Sequence, residues 1–302
     1  MAEHRDGQAS GGPLLVVDAP FLLYRSFFAL PDSIRGVDGR PVNALLGATN
    51  ALLRIVAEVA PRAVVICFGA EQAPYRVELY AGYHAQRPPM PEDLARQFAR
   101  APELFAALGW RVEDADELEA DDLLGAHAAL EGGAGGHTLL LTGDRDMYQC
   151  VDEHTRVLYL KQGVAGVETV DAAEVERRYG IAPALVPDFI ALRGDPSDGL
   201  PGAPGIGEKT AATLLRRHGT LDQLLADVAD GDGGERPRIV FTLREHADAL
   251  RAYREIARLR PVAVTRPPDA PTDPAAGAAA AAALGMGALA ARLEASSTLA
   301  ER

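Results

Sequence analysis

The sequence predicts an α/β fold, a mostly parallel central sheet flanked by helices, followed by a smaller helical lobe. Three observations carry this. The runs LLVVDA (residues 14–19), AVVICF (63–68) and HTLLLTGD (137–144) are short, continuous and apolar, as strands covered on both faces are. Between the first two runs, Leu45, Ala48, Leu52, Ile55 and Val59 recur at spacings of three and four, which makes an amphipathic helix. From about Val170 to Arg260 short helical stretches alternate with Gly and Pro turns, without a long strand-like run.

Taken in order, residues 1–12 lack an apolar segment and read as a disordered tail. Strand, helix and strand over residues 14–68 form a βαβ unit. Residues 71–90, EQAPYRVELYAGYHAQRPPM, are polar and aromatic and read as an exposed excursion. Their Tyr and Arg side chains suit base stacking and phosphate contact, and a plain surface loop has the same composition. Residues 92–108 and 120–130 are helical by pattern, and 156–163 is a further strand. The α/β core then covers 13–180, including the 71–100 segment, and the helical lobe covers 181–260. A short return strand is expected at 261–266, and an Ala/Pro-rich tail at 267–302: a linker near 268–278, then a marginal helix over 279–298.

The 302 residues carry a formal net charge of −13, which excludes a non-specific basic coat on nucleic acid. Cys67 and Cys150 both adjoin apolar stretches and read as buried free thiols. No secretory or membrane-spanning segment is evident, so a soluble, cytoplasmic protein is expected. Nothing suggests a repeat or a coiled coil, which favours a monomer.

Carboxylates give the chemistry. Asp18 ends the first strand, Asp144 and Asp146 follow the 137–144 strand, and Glu119, Asp121 and Asp122 open a helix. Asp195 and Asp198 lie in GDPSDGLPG. Ligands of parallel sheets bind beyond the carboxyl ends of strands, so the first three groups belong at one edge. Taken singly, Asp121 or Asp122 also suits an N-cap and Asp144 a turn. Together they form a hard, oxygen-rich donor set for two or more Mg²⁺ or Mn²⁺ ions, which promote phosphodiester hydrolysis. No zinc-spaced Cys/His cluster, Walker A loop or nucleophile elbow is present. In GAPGIGEKTAATLLRRHG, Gly205 and Gly207 form a tight turn before a helix that Glu208 and Lys209 open. Bare backbone N–H groups, the helix N-terminus and Lys209 make a helix-hairpin-helix-like clamp for DNA backbone.

Five stretches, VVDAPFLLYRSFFAL, AGYHAQRPPMPEDL, ELEADDLLG, TGDRDMYQ and GDPSDGLPGAPGIGEKTA, resemble in order those of the bacterial 5′–3′ exonuclease or flap endonuclease family. Members occur alone or as the N-terminal nuclease of DNA polymerase I. The resemblance runs from about residue 14 to 265, and no polymerase segment follows, so a stand-alone relative is expected. It implies a PIN-like or resolvase-like core, a helical arch over about 71–100 and a helix-three-turn-helix lobe. By resemblance Asp18, Glu119, Asp121, Asp144 and Asp146 bind two or three catalytic metals, and Asp122, Asp195 and Asp198 complete the acidic set. Tyr24 and Arg25 take the family's Tyr-Arg position near the scissile nucleotide, and Arg76 and Arg87 match basic residues of the arch. Tyr83 and His84 lie in the same nucleic-acid-facing arch motif, and Gly205, Gly207 and Lys209 match the element that holds duplex backbone beside a K⁺ ion. The implied substrate is DNA with a 5′ end, flap or junction, or an RNA primer, met in replication and repair.

Three positions depart from the family pattern. FGA replaces the usual FDA, so Gly69 supplies no carboxylate and Glu71 is the nearest substitute. His84 stands in the place of the usual arch lysine, and Gly199 replaces the Asn of SDN. The alternative to an active nuclease is therefore a catalytically weakened protein that binds flap or junction DNA. Restoring Asp at position 69 is expected to raise activity at low metal if the missing ligand matters, and no change would mean that a water or Glu71 already fills the role.

Overall fold

A computed structural model describes residues 11–160 and 166–300, with side chains to residue 297; residues 1–10 of the expected 1–12 tail and the end of the 156–163 strand fall outside the described residues. Among the described residues six strands form one sheet: β1 (Leu14–Asp18), β2 (Ala63–Phe68), β3 (Arg111–Asp114), β4 (Thr138–Thr142), β5 (Thr155–Leu160) and β6 (Val167–Val170). Their order is β3-β2-β1-β4-β5-β6, parallel except for the antiparallel edge strand β6. The strand order reverses between β1 and β4, and a cleft at the carboxyl ends there is where such sheets place a ligand. The mostly parallel sheet agrees with the sequence. β3 and β6 were not anticipated, because RVED and VETV are four-residue edge strands without an apolar run.

Every residue of β1 and β2 is buried, and alternate side chains feed two cores. Leu15, Val17, Val64 and Ile66 face α1 (Ala19–Ala29), α2 (Asn43–Val59) and α4 (Glu92–Ala107). Leu14, Val16, Val65 and Leu140 face α5 (Ala120–Gly133) and the core that continues into the helical lobe. The lobe is built from α6 (Ala172–Tyr179), α7 (Val186–Arg193), α8 (Glu208–His218), α9 (Leu221–Asp230), α10 (Pro237–Glu245) and α11 (Ala247–Ala257). Burial on both faces accounts for the uninterrupted hydrophobic runs.

The segment expected to stand out as an exposed excursion is folded onto the molecule. It contains α3 (Pro74–Leu79) and leads through a turn into α4. Arg76, Tyr83 and His84 are buried, because carboxylates on α5 and in the 195–200 loop take their polar atoms. Gln97 of α4 is buried too, and its Oε1 accepts from the amides of Ala44 (2.8 Å) and Leu45 (3.2 Å). That satisfies the start of α2, which has no side-chain cap of its own.

Two expectations for the C-terminal part are corrected. Residues 259–273 form neither helix nor strand and do not join the sheet, so there is no return strand at 261–266. The chain is tied there by side chains. Arg62 and Arg266 both grip the buried Glu131 at the end of α5, and Arg62 also bonds Pro267 O (2.8 Å) and Asp269 (2.9 Å). The expected linker and marginal helix form a packed hairpin, α12 (Pro274–Ala283) and α13 (Gly287–Ala300). Asp273 caps α12 by accepting from Ala276 N at 2.9 Å. Ala278, Ala281, Met286, Leu289 and Leu293 bury against the α2/α4 face. Gly277 packs so closely that a Cβ there would lie 2.3 Å from Leu108 Cδ2. Small side chains make this contact possible, and the same composition looks like low complexity when read linearly.

Candidate active site

The topology brings carboxylates from four places to the carboxyl edge of the sheet. Asp18 is the last residue of β1 and the N-cap of α1; its Oδ1 accepts from Phe21 N at 2.9 Å and its Oδ2 from Thr142 Oγ1 at 2.7 Å. Thr142, at the end of β4, also accepts from Asp144 N at 3.0 Å. One buried hydroxyl thereby fixes the relation of Asp18 to the TGDRD turn. Sequence reasoning missed Thr142, although its place one residue before Gly143-Asp144 at a strand end was the available signal. Asp144 Oδ1 then accepts from Asp146 N at 2.8 Å, which sets the second carboxylate of that turn. Asp195 is shaped by Ser197, whose N and Oγ donate to its Oδ1, and by Arg193 at 3.2 Å.

The charges are mutually unfavourable. Burial pushes Asp144 up to about 7, and the charges of Asp198, Asp18 and Asp195 add to it. Asp146 and Asp121 are raised well above the ordinary carboxylate range, first by burial and then by Asp144 with other carboxylates of the set. Asp18 is raised by burial, against its two hydrogen bonds and the nearby Arg87. Acids that raise one another in this way are a donor set for a hard divalent cation, which supplies the missing positive charge. Among the described residues no three His, Cys, Asp or Glu side chains close around one point, so the arrangement is a lined cleft and not a finished cage.

Two of the anticipated acids are engaged elsewhere. Asp122 is wholly buried; it accepts from Arg260 N (2.7 Å), Glu119 N (3.2 Å) and Arg76 Nη2 (3.3 Å), so it braces the start of α5 and is not offered to a metal. Glu119 pairs with Arg76 and accepts from Ala73 N (2.8 Å) and the Tyr83 hydroxyl, and its charge helps to raise Asp121. Arg76 is accordingly an internal counter-ion and not a solvent-facing arch residue. Tyr83 and His84, 3% and 8% exposed, also point inward. Burial raises both Asp18 and Tyr24, and the exposed Arg87 is close enough to each to oppose that rise in part. Tyr24 and Arg25 lie half-buried on α1, and the Tyr24 hydroxyl donates to Glu71 at 2.8 Å. Glu71 is thus committed to Tyr24, on the Arg87 side.

Gly69 has a structural reason of its own. A Cβ at this position would lie 2.6 Å from both Ala120 N and Leu118 O, backbone atoms that cannot swing aside. The 118–120 segment occupies the space a side chain needs, and Ala70 N donates to Leu118 O at 2.8 Å. The expected benefit of restoring an acid is therefore withdrawn. Gly69→Asp should lose about 1–3 kcal/mol of stability and gain no cleavage at low metal. Thermal melts with a metal titration check this; a gain in low-metal activity at unchanged melting temperature would sink the packing argument.

In the helical lobe, Gly205 has φ +80°, Gly207 is the N-cap of α8 and offers no side-chain cap, and Gly207, Glu208 and Lys209 are exposed. Their amides and the Lys209 ammonium are open to an anion.

Residues 13–180 match the family model described as the 5′-3′ exonuclease N-terminal resolvase-like domain, and residues 181–270 the one described as the 5′-3′ exonuclease C-terminal SAM fold. A 5′-3′ exonuclease of Mycobacterium tuberculosis is 40% identical over 238 residues, covering 72% of this chain and 74% of its own length. A 5′-3′ exonuclease of Streptomyces coelicolor is 37% identical over 292 residues, covering 90% and 96%. DNA polymerase I of Mycobacterium leprae is 36% identical over 247 residues, and the match spans 27% of that protein. The bacteriophage T5 D15 flap endonuclease, solved with DNA and metal ions, shares the fold at TM-score 0.67 and 16% identity, over 96% of this chain and 100% of that one.

Proposed function

Because the chain belongs to the 5′–3′ exonuclease family, nucleases that hydrolyse phosphodiester bonds, we propose that it cuts DNA at or near a 5′ end, at flaps and junctions of replication and repair. RNA primers annealed to DNA fall within the same substrate class. The observation that carries the reading is the gathering of Asp18, Asp121, Asp144, Asp146, Asp195 and Asp198 into one set of interacting charges at the carboxyl edge between β1 and β4.

These six, with Glu119 beside Asp121, would hold two or three Mg²⁺ or Mn²⁺ ions. When bound, such ions lower the pKa of water and neutralise charge on the reacting phosphate. The chain's own residues orient the set. Thr142 fixes Asp18 relative to Asp144, and Arg76 pairs with Glu119 and holds it in place. Arg87, exposed and donating to Glu71 O at 3.5 Å, would meet a phosphate on the Tyr24 side of the cleft, with Arg25 next to Tyr24 on α1. Gly205, Gly207 and Lys209 would hold duplex backbone without reading bases, and a K⁺ ion suits the carbonyls of that turn. In this reading the chain acts as a cytoplasmic monomer on nucleoid DNA.

The test is a 5′-labelled flap duplex incubated with Mg²⁺ or Mn²⁺ and with EDTA. Metal-dependent release of the flap is expected; binding without cleavage at any metal concentration would leave only a junction-binding protein. Lys209→Ala should weaken duplex binding with no change in base preference. Its log affinity against log salt should be shallower by about 0.9, one phosphate contact fewer. Fluorescence anisotropy at several salt concentrations reads this, and an unchanged slope would remove Lys209 from the interface.

A further inference from the structure

We infer that the Tyr83–His84 dipeptide is a brace that sets the spacing between the two flanks of the acidic cleft, with His84 a positioning residue for Asp198. The proposal rests on the reading of Glu119 and Asp198 as members of the metal-binding set.

Two successive side chains reach two carboxylates from distant parts of the chain. The Tyr83 hydroxyl donates to Glu119, at 3.1 Å to Oε1 and 3.0 Å to Oε2. The His84 Nε2 donates to Asp198 Oδ1 at 3.1 Å, since an ionised carboxylate can only accept. Glu119 opens α5 in the sheet domain, whereas Asp198 belongs to the loop that follows α7 in the lobe. The two rings stack with centroids 3.9 Å apart and planes 23° from parallel, so the pair behaves as one rigid piece. Its backbone is anchored as well: His84 N donates to Asp198 O at 3.0 Å, and Gln72 Nε2 donates to Tyr83 O at 2.6 Å.

The arrangement costs stability locally. His84 adopts φ +52°, which a side-chain-bearing residue rarely does, and its buried Nδ1 has no partner. Such features persist where surrounding contacts over-determine them. Gly199 shows why the contact is so close. It has φ +76°, and a Cβ there would lie 2.6 Å from Gly82 O. The turn carrying the brace and the loop carrying Asp198 therefore meet backbone to backbone, and only glycine at 199 permits it. His84 and Gly199, which depart separately from the family pattern in the linear sequence, are two sides of one contact.

Carboxylate flanks of like charge repel, and nothing in a lined cleft fixes their separation unless donors do. A brace that spans both flanks fixes it before any ion arrives. It also means that the His84 imidazole is spent on Asp198 and is not the group that meets a phosphate.

The measurement is Mn²⁺ binding to the DNA-free chain by electron paramagnetic resonance, together with KM and kcat for a flap duplex at saturating Mn²⁺. His84→Ala should weaken Mn²⁺ binding about 10- to 100-fold, the usual effect of removing a partner that orients a ligand. His84→Gln, which keeps an N–H donor within reach, should recover most of it. Gly199→Ala should weaken binding similarly by forcing the loop away, and the double variant with His84→Ala should be no worse than the poorer single. KM for DNA should stay within a factor of two. Normal Mn²⁺ binding by His84→Ala with a raised KM would overturn the brace and make His84 a DNA contact. Equal loss in His84→Ala and His84→Gln at unchanged melting temperature would overturn it also. Asp144→Asn is the control: if it too leaves Mn²⁺ binding intact, the metal-centre reading has failed, and the brace with it.

Discussion

Asp144→Asn should reduce metal-dependent cleavage by well over 100-fold, beyond what loss of an outer-shell partner does, and should raise the stability of the metal-free chain. The two effects have one cause. Asp144 is held near 7, against 3.8 in an unfolded chain, because burial and the neighbouring acids Asp198, Asp18 and Asp195 oppose its charge. A shift of that size corresponds to about 4 kcal/mol of destabilisation once the group is ionised. Between pH 4 and 7 the folded state keeps a proton that the unfolded chain has released, so stability falls as pH rises and the full penalty is present above pH 7. In EDTA the native chain should therefore melt several degrees lower at pH 8 than at pH 5.5, with Asp144→Asn showing a flatter pH dependence. Saturating Mn²⁺ should remove the native chain's loss. Differential scanning calorimetry reads all of this, and a metal-free chain that is more stable at pH 8 would contradict the electrostatic account of the cleft.

Glu131→Ala should be the most damaging single change far from the cleft, costing about 3–5 kcal/mol because it leaves the buried Arg62 facing no carboxylate there. Arg62 bonds Glu131 through Nε at 3.1 Å and Nη2 at 2.6 Å, and Arg266 adds bonds of 2.8 and 2.9 Å. Burial alone would raise the Glu131 carboxyl, but the hydrogen bonds from Arg266 and Arg62 outweigh it and hold the group below the ordinary value of 4.5. Its contribution is thus complete above pH 4.5 and is lost as pH falls through the depressed value. Urea unfolding at pH 7 should show the loss in Glu131→Ala, the gap to the native chain narrowing in acid. A loss below about 1 kcal/mol at pH 7 would mean that the cluster is ornamental.

The central strands were legible because burial on both faces leaves an unmistakable run, as in LLVVD and AVVICF. The short edges β3 and β6 were not, since strand pairing and not composition defines them. The acids at strand ends were legible for the same topological reason that brings them together. Asp122 was misassigned because what turns it inward is the amide of Arg260, 138 residues away. The inward burial of Arg76, Tyr83 and His84 likewise depends on partners that only folding supplies. Gly69 was read as a lost ligand, when the approach of Leu118 and Ala120 makes it a packing requirement.

The α12–α13 hairpin carries a consequence for how the molecule is made. A chain leaving the ribosome exposes the apolar α2/α4 face long before Ala278, Leu289 and Leu293 exist to cover it. Arg62 likewise waits 207 residues for Asp269. The packing of α2 and α4 is therefore completed only after the hairpin residues have been made, and the apolar face is open until then.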